Sequence, residues 1–249
     1  MTFRSLRGLL PLAALLGLWQ LVGNPHSATT PAPSAWWSAL RQIEQTGALW
    51  PALKITMLLY IEGLAIATVV GVALGGALGA SRRLNLGLNP LLEFMRATPA
   101  AAIVPGLLLL FHASTGTKLL IVVYGTIWPI LLNTAAARRA LPPLRLDVAR
   151  SLRVPRWERM RKIVLPSLLP DIVVGVRIAA AICLIVTLLV DFLVATGGLG
   201  YLLVQYQSSF EASDAFAMLA VIGVIGILIN VALGVAERLI LYRWPAGAR

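Results

Sequence analysis

Long apolar runs alternate with short polar segments along the whole of this chain. The runs lie at about residues 8–23, 56–80, 91–111, 119–137, 168–190 and 215–236. A helix that crosses the roughly 30 Å hydrocarbon core of a bilayer needs about 20 consecutive, mostly apolar residues. The pattern therefore predicts an all-α integral membrane protein with about six transmembrane helices. The first run is short, and Pro99 and Pro105 interrupt the third.

Composition excludes an ordinary soluble domain. The 249 residues are 59% hydrophobic and only 12% charged, with a mean hydropathy of +0.85, which leaves too little polar surface for a water-soluble fold. The single cysteine, Cys183, lies inside an apolar run, so neither a disulfide framework nor a cysteine metal site is expected. A net charge of +11 could indicate nucleic acid, but basic loops on one side of a membrane account for it, and no nucleic-acid partner is expected.

The most polar segment separates the fourth and fifth runs. Residues 138–162 carry nine arginines and lysines against two acids, Asp147 and Glu158. Each Arg or Lys at the centre of a membrane costs at least about 2.5 kcal/mol. This segment is therefore expected to be a loop outside the bilayer.

Basic residues also predict the orientation, because they accumulate in cytoplasmic loops. A cytoplasmic N-terminus puts most of them inside: Arg4, Arg7, Arg82, Arg83, Arg96, the nine of the 138–162 loop, Arg238, Arg243 and Arg249. It leaves Arg41, Lys54 and Lys118 outside, together with the 191–214 connection, whose only charges are Asp191, Glu211 and Asp214. Both termini are then cytoplasmic. The N-terminus also imitates a secretory signal, but six retained spans keep both ends on one side.

Within the basic loop, the sequence predicts two short helices joined by a turn. Asp147 is placed near a helix start, where it would complement the macrodipole. A small apolar stripe follows on one face: Val148, Ala149 and Leu152. Pro155 suits the first turn of a second helix, which would carry Trp157, Met160 and Val164 at helical spacing. Such a pair could dock on another protein, or it could be a basic anchor resting on the membrane surface.

A resemblance distinguishes these alternatives. The loop resembles the cytoplasmic signature of the permease subunits of ATP-binding-cassette importers, which reads Glu-Ala-Ala, three variable residues, Gly and, further on, Leu-Pro. Asp147-Val148-Ala149 matches the start, Arg153 stands where glycine is expected, and Leu165-Pro166 matches the end. The segments 95–99 (MRATP) and 197–201 (GGLGY), with Asp191, resemble further landmarks of the nitrate, sulfonate and taurine branch of this family.

What the resemblance implies is a type I ABC importer permease fold, with a coupling-helix loop between spans 4 and 5. The expected divisions are residues 1–55 (first span, external linker and interfacial helix), 56–243 (permease core, including coupling loop 138–166) and 244–249 (cytoplasmic tail). The residues expected to couple to the ATPase are Asp147, Val148, Ala149, Leu152, Arg153, Val154 and Pro155. The expected location is a bacterial inner membrane. This chain would form a translocation path by alternating access, with ATP and Mg²⁺ bound by two ATPase subunits, solute delivered by an external binding protein, and a second, identical permease chain.

Two further residue sets are singled out by spacing and charge. Small residues repeat every four positions along the second span and predict close helix packing, within the chain or across a dimer: Gly63, Ala67, Gly71, Gly75 and Gly79. Charged or glycine positions near membrane depth are candidates for the translocation path or an external gate: Glu62, Asp191, Gly198 and Gly200. Glu62 could equally be interfacial. Asp171 and Arg177 are expected to be members of structural ion pairs.

Two other functional classes fit less well. A membrane-embedded lipid-modifying enzyme would need a polar catalytic cluster, yet His26 and His112 are isolated and no nucleophile motif occurs. A self-sufficient secondary carrier would favour an internal repeat with interrupted helices, and none is evident. The chain also has no phosphate-binding loop of the G-x-x-x-x-G-K-[ST] type, so ATP hydrolysis is expected in partner chains.

Overall fold

The computed structural model describes residues 10–24, 27 and 29–242, and this part of the chain contains helices and no β-strand. The predicted all-α class is confirmed. In chain order the helices are α1 (Leu10–Val22), α2 (Pro33–Gln45), α3 (Leu49–Ala80), α4 (Arg82–Ala97), α5 (Ala100–Phe111), α6 (Thr115–Ala140), α7 (Pro143–Ser151), α8 (Arg156–Arg159), α9 (Leu165–Val194), α10 (Leu199–Ser208) and α11 (Ala212–Leu241). A π-helical segment, Met160–Val164, joins α8 to α9.

Among the described residues, four helical stretches are long and apolar enough to cross a membrane: α3, α6, Arg156–Val194 and α11. The third apolar run is broken, because α4 and α5 meet at an angle of 91°. Thr98 has extended backbone (φ −77°, ψ 118°) and ends α4, as expected for a residue that precedes proline. If the bent pair crosses as one span, the count is five. A sixth would need the 13-residue α1, so six spans stay a prediction.

Several residues used in the sequence analysis lie outside the described part of the chain. They are Arg4, Arg7, His26, Arg243, Arg249 and the expected tail 244–249. The orientation that rests partly on them therefore stays a prediction. Two described helices begin with a serine cap: Ser81 accepts a hydrogen bond from the Leu84 N–H at the start of α4, and Ser114 does the same for Thr117 in α6.

Contacts divide the chain into two compact units, and the first combines the described residues of Met1–Met57 with Asp191–Ile227. An aromatic cluster holds its helices together. Trp36 stacks on Phe216 with ring centroids 5.8 Å apart, and Trp19 meets both rings edge-on. The amide of Gln20 also donates to Ser34 Oγ at 3.1 Å, which ties α1 to α2. The ring of Trp36 is half-buried by these aromatic contacts.

The second unit, Leu58–Val190 with Leu228–Arg249, is built around α6. The small-residue stripe of α3 lies against this helix. A side chain at Gly63 would reach within 2.5 Å of Val122, and one at Gly71 within 3.0 Å of Ile130. Ala67 is fully buried in a cluster with Ile130 and Ala179. The neighbour of the stripe therefore lies within the chain.

Helix α6 is approached closely from its other sides as well. A side chain at Gly125 would reach within 3.2 Å of Ala100 in α5, and within 3.0 Å of Val186 in α9. Gly175 of α9 in turn faces the Pro129 carbonyl, 3.1 Å from where its Cβ would be. Helices in lipid gain no hydrophobic free energy when they associate, so close van der Waals packing of this kind has to stabilise the association.

Two adjacent glycines of α3 provide a matched test of this packing. A side chain at Gly75 would collide with the Leu131 carbonyl, whereas Gly76 has nothing within 4 Å. We expect Gly75→Ala to destabilise the detergent-solubilised protein by about 1–3 kcal/mol through overpacking. Gly76→Ala should be neutral or slightly stabilising, because alanine favours helix. Thermal unfolding of both variants measures the difference, and equal stabilities would contradict the packing.

Candidate functional sites: a basic loop and a buried aspartate

The basic loop contains one short helix rather than the two that were expected. Helix α7 spans Pro143–Ser151, and a four-residue turn leads to Arg156. From Arg156 the helix runs without a break through the π-helical segment into α9. The second helix of the prediction is therefore the beginning of a span. Pro166 follows the π-helical segment and cannot donate to the carbonyl four residues earlier, which is a common reason for a local departure from α-helical bonding.

The turn after α7 is a Schellman motif. The Val154 N–H donates to the Ala149 carbonyl at 3.0 Å, and the Arg153 N–H to the Arg150 carbonyl at 2.9 Å. This bonding requires a left-handed backbone at position 153, and Arg153 has φ +51°. The family glycine position is thus occupied by a residue that pays about 1–2 kcal/mol for its conformation. The bend is kept despite the substitution.

The apolar residues of α7 and of its C-cap, Leu152, do not all point the same way. Val148 is 50% and Leu152 72% exposed, but Ala149 is only 2% exposed and packs inside the chain. The expected stripe of three is wrong at Ala149. Leu144 takes its place, because it is 73% exposed and lies four residues before Val148. We call Leu144, Val148 and Leu152 the α7 ridge. Sequence spacing contained this signal, but Leu144 lies before the family motif and was missed.

Asp147 also differs from its expected place. It is the fifth residue of α7 and lies beyond the first turn, so it does not cap the helix. Its carboxylate instead accepts from Arg150 Nη1 at 3.0 Å, with both side chains largely exposed. Exposed pairs of this kind contribute roughly 0.3–0.5 kcal/mol. Asp147 therefore tunes the surface charge of α7 more than its stability.

The loop is fastened to the spans by a small apolar cluster. Leu141, Val164, Leu168 and Ile172 are all buried together, and Leu146 of α7 packs against them. Leu141 precedes α7, and the other three follow the turn. The α7 ridge is therefore held on a short rigid element that is anchored at both ends to α6 and α9.

In the first unit, Asp191 is fully buried near the end of α9. The Thr56 hydroxyl donates to Asp191 Oδ2 at 2.6 Å and accepts from the Leu199 N–H at 2.8 Å. Thr56 thus connects a buried carboxylate to the first turn of α10. Such a helix start presents unpaired N–H groups and a positive dipole end, which a carboxylate stabilises. Thr56 was missed because a threonine within an apolar run carries no distinguishing pattern.

The glycines before α10 allow this arrangement. Gly197 and Gly198 both have φ +107°, a backbone conformation that side chains rarely adopt. A Cβ on Gly198 would also overlap the Asp191 carboxylate. Gly200 is buried within the first turn of α10. The glycine-rich segment and Asp191 are therefore one local structure, which the sequence suggested only as neighbouring landmarks.

Other charged candidates are placed separately. Glu62 is exposed on the surface of α3. Arg177 forms an ion pair with Glu237 of α11, and Asp171 is exposed. Lys118, which the orientation places on the external side of the membrane, is only 2% exposed at the start of α6. Outside the spans, burial raises the pKa of Tyr206 in α10, with Asp214 and Glu211 adding to the effect, so this phenol stays neutral.

Comparison with known proteins identifies the class. Residues 67–243 match the family described as the inner membrane component of binding-protein-dependent transport systems. The bicarbonate transport permease CmpB of Synechococcus elongatus is 30% identical, covering 89% of this chain and 85% of its own length. The putative aliphatic sulfonates permease SsuC of Bacillus subtilis is 26% identical, covering 96% and 87%. The nitrate import permease NrtB of Synechococcus elongatus is 29% identical, covering 68% and 61%.

A solved structure shares the fold. A chain of the MetNI methionine ABC transporter, solved in inward-facing conformations, superimposes with a TM-score of 0.68 at 17% identity, covering 79% of this chain and 97% of that one. The fold and the anchored basic loop define a multi-pass membrane permease of the ABC importer type. This chain belongs to the binding-protein-dependent transport system inner membrane component family, as a permease subunit. The predicted nitrate and sulfonate branch is confirmed by the relatives.

Substitutions at Arg153 test the turn. Arg153→Gly should preserve the Schellman motif and raise thermal stability slightly, because glycine adopts positive φ without a side-chain clash. Arg153→Val should lower stability by at least about 1 kcal/mol, since a β-branched residue is strained there. Arg153→Ala separates loss of charge from backbone strain. Melting temperatures in detergent measure the series, and a valine variant as stable as the glycine variant would contradict it.

Proposed function

We propose that this chain is one of two identical permease subunits of an importer. We further propose that its α7 ridge is the surface that binds the cytoplasmic ATPase subunits. The exposed ridge carries this proposal. Three large apolar side chains at four-residue spacing face away from the chain on a helix whose other side is anchored. Exposed apolar clusters on a fixed element are typical of protein interfaces. Closure of the ATPase on ATP and Mg²⁺ would then move α6 and α9 through the anchored loop.

Orientation and location follow from the same proposal. The basic loop lies in the cytoplasm of a bacterial cell, with both termini on that side of the inner membrane. A solute-binding protein delivers solute to the opposite face, and the two chains alternate between inward-open and outward-open states. The relatives are named for bicarbonate, sulfonates and nitrate, which are small oxyanions. We extend that class to the solute of this complex. An exposed Glu62 would repel such anions, which favours its interfacial alternative over the path.

Crosslinking tests the ridge directly. In a Cys183→Ser background, which removes the single native cysteine, Val148→Cys and Leu152→Cys are introduced separately. A maleimide-to-lysine crosslinker is applied to the co-purified membrane complex. Both cysteines should form adducts with an ATPase subunit, because both side chains are exposed. Ala149→Cys is the matched control, since position 149 lies on the same helix but is buried.

Two results would oppose the proposal. A complex that contains no ATPase chain would remove the function itself. An ATPase that co-purifies but crosslinks to neither Val148→Cys nor Leu152→Cys would leave the importer in place and exclude the ridge as its contact.

We also propose that the Thr56–Asp191–Leu199 contact positions α10 and Gly198 as part of an external gate. Thr56→Val keeps the shape but leaves the Asp191 carboxylate and the Leu199 N–H each short of a partner, at a cost of about 1–3 kcal/mol. Thr56→Ser retains the hydroxyl and is the control. Asp191→Asn removes the charge and keeps the size.

The gating role is tested in proteoliposomes by measuring the rate of ATP hydrolysis with and without the solute-loaded binding protein. Thr56→Val and Asp191→Asn should raise unstimulated hydrolysis or lower the stimulation, while Thr56→Ser resembles the wild type. Normal coupling in both variants, at wild-type protein levels, would exclude a gating role and leave the contact purely structural.

A further inference from the structure

A basic cleft lies beside the anchored loop in the second unit. It is open, with a volume of about 630 Å³, and is formed by the ends of α3 and α6 and the starts of α4 and α7. Its polar lining comprises Arg82, Asn85, Arg138, Arg139, Asp147 and Arg150. Four guanidinium groups therefore face one carboxylate. Neither the proposed coupling contact nor the proposed gate uses this cleft as a binding site.

The charges of the cleft are only partly satisfied internally. Arg150 pairs with Asp147, and Arg139 Nη1 donates to the Asn85 side-chain oxygen at 3.0 Å. Within the described ranges, Arg82 and Arg138 form no ion pair. The Nε–H of Arg138 is moreover shielded from solvent and has no acceptor. A buried donor without a partner costs free energy unless a ligand or water supplies the acceptor.

The unsatisfied group is held in place by close packing. A Cβ on Gly79 would be only 2.5 Å from the Cβ of Arg138. The glycine therefore leaves room for the arginine side chain beside the end of α3. Arg82 follows two residues after Ala80, at the start of α4, and lines the same cleft. Two guanidinium groups thus approach one space from two helices. The planar fork of arginine matches the oxygens of phosphate, and charge-assisted bonds to it are the stronger kind.

The apolar surroundings indicate where the phosphate comes from. Helix α4 has a polar side with Arg82, Asn85 and Asn89, while Leu84, Leu88 and Leu91 are exposed on another side. An amphipathic helix of this kind lies in the plane of the membrane interface. The cleft also opens at the point where the apolar segments α3 and α6 end. This is the level of lipid headgroups on the side that we propose to be cytoplasmic.

We infer that this cleft binds the phosphate of an anionic phospholipid headgroup, with Arg82 and Arg138 as its principal ligands. The acyl chains of the lipid would lie along the side of α4 that exposes Leu84, Leu88 and Leu91. Because Asp147 and Arg150 of α7 form one wall, the bound headgroup would also fasten the loop that carries the α7 ridge. The inference rests on the proposed orientation, but lipid binding is measured without any ATPase.

Native mass spectrometry of the full-length chain in detergent tests the inference. The protein is offered equal amounts of phosphatidylglycerol and phosphatidylcholine with the same acyl chains. Wild-type protein should retain phosphatidylglycerol preferentially. Arg82→Gln with Arg138→Gln should reduce that retention at least about fivefold, which is the effect expected for each basic residue at an anionic membrane surface. Arg156→Gln with Arg161→Gln removes the same charge from exposed positions outside the cleft and should change little.

Two single variants guard against misfolding of the double variant. Arg82→Glu changes an exposed residue at the start of α4, where an acid suits the helix dipole, and should lower phosphatidylglycerol retention. Asp147→Asn removes the one acidic charge of the cleft and should raise it. Opposite shifts from two exposed substitutions cannot be explained by a common loss of structure.

A competition arm identifies the source of the phosphate. If inorganic phosphate at millimolar concentration does not displace phosphatidylglycerol, the ligand is the lipid headgroup. If it does, the anion site stands with free phosphate as its ligand. Equal lipid retention by the wild type and the cleft variants would overturn the inference. Unchanged lipid retention together with loss of the co-purifying ATPase would show that the cleft contacts protein instead.

Discussion

The contact between α3 and α6 at backbone distance is the constraint on which the second unit depends. In lipid, two apolar helices gain nothing from excluding water, so they associate only where their surfaces fit closely. The stripe from Gly63 to Gly79 carries no side chain larger than a methyl group, which lets Val122, Ile130 and Leu131 of α6 approach the α3 backbone. Helix α6 can then be the common partner of α3, α5 and α9. Its position fixes where the basic loop begins.

The coupling role proposed for the basic loop depends on this fixed origin. A loop that hung freely from α6 would absorb any force applied to it, whereas α7 is anchored through Leu141 and Leu146 to the start of α9. Force on the α7 ridge therefore reaches two spans. The left-handed Arg153 matters here because it closes the Schellman motif that ends α7 and redirects the chain toward Arg156. The protein keeps this turn although a non-glycine residue is strained there, which indicates that the direction of the chain after α7 matters to the structure.

Much of this arrangement could be predicted from the sequence, because its signals are local. Apolar runs, basic loops and a four-residue repeat of small side chains each depend on residues close together in the chain. The errors arose where distant residues decide the outcome. Ala149 has the same local pattern as Val148, and only packing against the rest of the unit buries one and exposes the other. Thr56 and Asp191 are 135 positions apart, so no spacing pattern could pair them.

Two polar contacts of the described spans involve residues near helix ends, which bears on how such a protein can move. Thr56 binds Asp191 near the end of α9, and the Tyr124 hydroxyl donates to the Met95 carbonyl at the end of α4. In the second unit, the α3 and α6 contact is made mainly by small and aliphatic groups. Smooth surfaces of this kind permit small sliding displacements without breaking hydrogen bonds. The terminal polar contacts would then select among a few arrangements, as alternating access requires, while the apolar packing keeps each of them closed to lipid.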